Sequence, residues 1–163
     1  MGPTGRVDGR TARAARTRAA IVEAHLGLVG EGDLRPTGDR IAERVDAYCR
    51  QRARLLQLIA PSARAAQLRE PLSPQLHRNR LKHVDRVRDE VERLFAAELD
   101  RAGPGREHLV HALVAASMWS AWSMLRDGLG LDVGAARAVM ARAVAALLAD
   151  PAGPPLFREV ADR

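Results

Sequence analysis

Glu107, His108 and His111 fall within about one turn of a helical run, and histidines three apart on such a turn can share a divalent cation. Neither a cysteine nor a third histidine stands at a supporting spacing, so surface histidines are the plainer reading and no metal is expected. Cys49, with Asp46 and His25, supplies the residue types of a nucleophile, an acid and a base. A single cysteine inside a helical run is more simply a small hydrophobe. Ser117, Ser120 and Ser123, spaced by three, either line a pocket or let helices approach closely. Trp119 and Trp122 are i, i+3 neighbours on one side of a helix, where they either wall a ligand pocket or anchor a packing seam. The chain carries no Gly-rich phosphate loop, no paired catalytic carboxylates and no Gly-x-Ser-x-Gly elbow. An enzyme is not expected, and no cofactor is called for.

The scaffold that would position these residues is limited by composition. In 163 residues, 47% are hydrophobic and 28% charged, the balance of a globular domain with at most a small appendage. Aromatic residues make up only 3%, so the core must be built from Leu, Val, Ile and Ala, and no alternating β-branched run is present. An all-α protein follows. The net charge is +6, almost all of the positive charge being arginine, with Lys82 the only lysine. Residues 1–20 hold five arginines (Arg6, Arg10, Arg13, Arg16, Arg18) against Asp8 alone. Such an arm suits phosphate contacts; a solvated terminus is the alternative. The single cysteine, Cys49, excludes an intrachain disulfide and fits a reducing cytoplasm. No apolar run reaches membrane-spanning length, and no signal-peptide core is evident near the start.

Glycines and prolines punctuate residues 1–9, which read as a flexible basic arm. A first helix, Thr11 to Val29, places Ile21, Ala24, Leu28 and Val29 on one face and stops at Gly30-Glu31-Gly32. Thr37 is a good N-cap for a second helix. Its stripe of Ile41, Val45, Tyr48, Leu55 and Ile59 is interrupted by Arg52, which suits two unrelated helices fused at about residue 45. Pro61-Ser62 is expected to begin a separate short helix closed by Pro71, and Ser73-Pro74 to open a long one. That helix carries Leu76, Val84, Val87, Val91, Leu94 and Phe95, and ends before a loop at 100–105. From Arg106 to Leu125 apolar residues go most of the way round, so the helix must be buried on more than one side. Asp132 caps a last helix with the stripe Ala136, Val139, Met140, Ala143, Val144 and Leu147, and residues 151–163 read as a loose tail.

Residues 10–45 resemble the N-terminal part of the TetR family of bacterial transcription regulators. The resemblance lies in Ile21, Ala24, Leu28 and Val29, the Glu31-Gly32 stop, and Thr37 with Ile41-Ala42-Glu43-Arg44. In that family a turn, a recognition helix and an aromatic segment come next. Here Val45 runs instead into Asp46-Ala47-Tyr48-Cys49-Arg50-Gln51-Arg52, similar to a helix from the family's regulatory domain. Further likeness to that domain lies in Gln51 to Leu56, Ile59-Ala60-Pro61, Leu68 to Pro71, Trp119-Ser120-Ala121-Trp122, Leu125-Arg126, Gly130-Leu131, and Ala136 to Leu148. The resemblance covers most of residues 10–150.

It implies an incomplete helix-turn-helix over 10–45 and a ligand-sensing, dimerising helical domain over 46–150. It further implies a homodimer formed through the helices at 106–127 and 133–149, which the small residues there would permit. A small apolar or amphipathic effector would release a repressor from its operator. Arg13, Arg16, Arg18 and Thr37 are the DNA-side residues, and Met118, Trp119 and Trp122 the ligand or seam residues. Without a recognition helix the base contacts that confer specificity have no source. The alternative function is therefore a dimerising interaction module that does not read sequence, acting through heterodimers or inactive.

Overall fold

The computed structural model describes residues 41–153, and these contain six helices and no strand. Helix α1 spans Ile41–Arg69, and a 3-10 turn at Glu70–Leu72 leads to α2, Pro74–Leu94. Two short elements follow, α3 at Ala96–Arg101 and a 3-10 turn at Gly103–Gly105. Helix α4 is Arg106–Ser117, α5 is Trp119–Ser123 running into a π-turn at Met124–Gly128, and α6 is Val133–Ala149. No described helix is long and apolar enough to cross a membrane.

Two of the long helices, α2 and α6, begin at a side-chain cap. Ser73 accepts a hydrogen bond from the Leu76 backbone N–H at 3.4 Å with Pro74 as the first residue of α2, and Asp132 accepts from Ala135 N–H at 2.8 Å. Each cap satisfies one of the N–H groups that a helix start leaves without a partner. Gly130, at φ +66°, turns the chain just before Asp132.

Helix α1 packs mainly on α6, and α2 mainly on α4. The core between them is aliphatic, with Leu56, Val87, Val91, Leu99, Val110, Leu113 and Val144 around Phe95 and Trp122. The Tyr48 ring meets Phe95 edge-on, centroids 5.5 Å apart. Glu98 is a buried carboxylate held by Arg44 and, at 3.3 Å, by Arg101.

Helix α1 runs unbroken through Val45 and Asp46, as the lack of proline and glycine between Gly38 and Pro61 allows. Three features depart from the sequence expectations. Helix α1 continues through Pro61, which was expected to start a new helix. Proline removes one N–H bond and crowds the preceding turn at roughly 3 kcal/mol; here it lies on the exposed side while Leu56 and Ala60 stay in the core. The expected continuous helix from Arg106 to Leu125 instead breaks at Met118, which is extended (φ −84°, ψ 163°). In α6 the buried stripe is Ala136, Met140, Val144 and Leu148, stepping by four, which leaves Val139 and Ala143 exposed.

Candidate functional site

The break at Met118 has no glycine or proline to cause it. Two contacts of Ser117, one local and one tertiary, meet at it. The Ser117 hydroxyl donates back to the Leu113 carbonyl at 2.7 Å, a bond that competes with helix continuation. Arg52, reaching across from α1, donates through Nη2 to the Ser117 carbonyl at 2.7 Å. A guanidinium on the last carbonyl of a helix meets both an unpaired acceptor and the negative end of the dipole.

Arg52 thus lies inside the protein, 2% exposed, where the sequence pattern suggested an interruption of the apolar stripe. Its Nε has no hydrogen-bond partner, and among the described residues no carboxylate lies within salt-bridge distance of it. Tyr48 precedes it by four positions on the same helix face and is fully buried. The Tyr48 hydroxyl lies beside the Ser117 hydroxyl, a hydrogen-bonding neighbour. Burial pushes the Tyr48 hydroxyl up to about 12, against the opposing influence of Arg52 and Ser117. Glu90 on α2 completes the group. Burial raises its carboxyl above the ordinary glutamate value, and the positive charges of Arg52 and Arg93 oppose that shift.

The residues singled out in the sequence are distributed around this centre. Trp122 is a core residue, 1% exposed, whereas Trp119 is half-buried at the rim. The Trp119 indole N–H donates to Gln67 Oε1 at 3.1 Å, and the Arg64 guanidinium lies 5.6 Å from its ring centroid. Arg64 is fixed in turn by two bonds to Asp127, at 3.0 and 2.6 Å. The two tryptophans are neighbours on α5, yet one packs inside and the other stitches α5 to α1. Met118, at the break itself, is half-buried against the core. Arg13, Arg16, Arg18 and Thr37 lie outside the described residues.

Cys49 is buried, and its thiol is pushed up to about 12, first by burial and then by Asp46. A thiol so placed is not a nucleophile at neutral pH. Glu107 pairs with Arg88 at 2.7 Å and with His111 at 3.2 Å, while His108 is exposed. Among the described residues no cluster of three His, Cys, Asp or Glu could hold a metal. An open cleft of about 640 Å³ lies at the α1–α2 corner, lined by Gln67, Glu70, Pro71, Pro74, His77 and Arg78. It touches neither tryptophan, and Glu70 in it is occupied by Arg80 and, at 3.2 Å, by His77.

The polar centre was missed in the sequence because arginine counts as a surface residue in a hydropathy stripe. Its spacing of four from Tyr48, on the face carrying Val45 and Leu56, was the available signal. No protein-family model matches the chain, and no characterised protein or solved structure matches it either.

Proposed function

We propose that the chain is a dimeric, small-molecule-responsive transcription regulator of TetR-like organisation, with sensing and dimerisation residing in residues 46–150. The observation that carries this reading is the course of α1. It is a single 29-residue rod, roughly 43 Å long at 1.5 Å per residue. It is described from Ile41 onward, follows in sequence the stretch bearing Arg13, Arg16, Arg18 and Thr37, and packs along α6. A rigid element of that length can convert a small shift in the bundle into a change in spacing between two N-terminal segments.

Helix α6 supports the dimer. Its outer face presents Ala138, Val139, Ala143, Ala145 and Ala146, with Val133 and Leu129 exposed at its start. Small side chains allow close helix approach, and a second α6 would cover this surface. Arg13, Arg16 and Arg18 would contact phosphates, giving affinity that falls with salt.

A second reading is favoured by the continuity of α1 across Val45 and Asp46. A helix that runs directly into the bundle leaves no turn from which a recognition helix could follow. On that reading the chain dimerises and senses a ligand, and reads no DNA sequence. Titration against upstream and scrambled duplexes at two salt concentrations separates the two.

A further inference from the structure

Between Asp46 and Asp85 the sequence holds one carboxylate, Glu70, against seven arginines and Lys82. Glu70 is already taken up by Arg80 and, at 3.2 Å, by His77. Among the described residues Arg54, Arg69, Lys82 and Arg86 enter no ion pair, and Arg78 bonds the neutral Gln75 amide at 2.9 Å. Along the outer side of α1, Leu58, Pro61, Ala65 and Leu68 are exposed at steps of three and four, and Leu72 continues the row in the turn that follows. Leu68 and Leu72 are 82% and 87% exposed, so they stand out from the surface instead of lining a groove. Arg69 is next to Leu68 in the chain, and Arg78 lines the same cleft as Gln67, Glu70 and Pro71 at the end of α1. Leu81 and Lys82, three and four positions beyond Arg78, add an exposed leucine and another cation to that side of α2.

We propose that this corner binds the surface of an anionic membrane. Leu68 and Leu72 enter the apolar edge of the bilayer, while Arg69, Arg78 and Lys82 meet lipid phosphates. Charge and shape select this occupant. A second copy of the chain, paired symmetrically, would bring Arg69, Arg78 and Lys82 against the same residues. A protein partner would need a hollow for each leucine, whereas acyl chains close around side chains that protrude. A nucleic acid would meet the cations and leave the leucines in water. No described helix is long and apolar enough to cross a membrane, so the contact lies in the head-group region. It goes beyond the regulator reading and does not depend on it.

The test is co-sedimentation of the full chain with vesicles of phosphatidylcholine, either alone or with about one-third phosphatidylglycerol. Binding is expected to the mixed vesicles and should be at least about tenfold weaker to the neutral ones. Leu68→Ser combined with Leu72→Ser should weaken it about tenfold without harm to the fold, because both side chains are already in water. Arg69→Gln combined with Lys82→Gln should weaken it by about the same factor. No binding to the anionic vesicles overturns the proposal. Binding indifferent to the leucine pair also overturns it, since the arginine-rich residues 1–20 alone would produce that result. Sedimentation of the leucine variant tests the rival occupant. A dimeric parent that becomes monomeric on this change would give the face to a second copy and overturn the proposal.

Discussion

Arg52 on α1 and Ser117 at the end of α4 are joined by a 2.7 Å hydrogen bond from guanidinium to carbonyl, and α4 ends at that bond. Sixty-five positions apart in the chain, the two residues set the shape of the helical layer that carries both tryptophans.

The cost of this arrangement is measurable. Arg52→Ala removes the bond and leaves a cavity, and should lower stability by about 3 kcal/mol in urea unfolding. Arg52→Met fills the space without a buried charge and should stay within about 1 kcal/mol of the parent or exceed it. Equal losses in both variants would show that the charge itself stabilises the fold.

Glu90 makes stability depend on pH in a defined direction. Its folded carboxyl titrates above the ordinary 4.5, chiefly through burial, so the folded state holds its proton longer than the unfolded state does. Stability from this group is therefore greatest below pH 4.5 and falls as pH rises from there through the folded value. Glu90→Gln should be more stable than the parent at neutral pH, with the difference closing as pH drops toward 4. A difference independent of pH would contradict this origin.

Cys49 should be inert in the folded protein. Enclosed in the core with its thiol pushed up to about 12, it should label with a thiol reagent only after denaturant is added. Rapid labelling of the native chain would mean that the α1–α6 packing opens readily.

Much of the scaffold was legible because it depends on local chemistry. Ser73 and Asp132 cap helices as their types and positions suggest, and the Val87, Val91, Phe95 stripe is buried. What escaped was decided by distant contacts. The break at Met118 coincides with a contact from Arg52, far away in sequence, and Pro61 lies in a helix whose residues Leu56 and Ala60 are held in the core. The two tryptophans were placed on one helix side, but an i, i+3 pair spans enough of the surface for Trp122 to enter the core while Trp119 bonds Gln67 at the rim. Arg52 was taken for an interruption, although its spacing from Tyr48 marks it as part of the buried face.

The outer face of α6 should hold two copies together. Val139 is 44% exposed there, and Val139→Arg places a charge beside Arg142 without disturbing Met140 behind it. The parent should sediment as a dimer and the variant as a monomer of unchanged helix content. A monomeric parent would remove the dimer from the account.

The most direct measurement is a DNA-binding titration of the full chain against its own upstream region and a scrambled duplex, at low and at higher salt. A regulator predicts preference for the upstream duplex that survives the higher salt. Equal, salt-sensitive binding to both duplexes, or none, would contradict it and leave a dimerising module that does not read sequence.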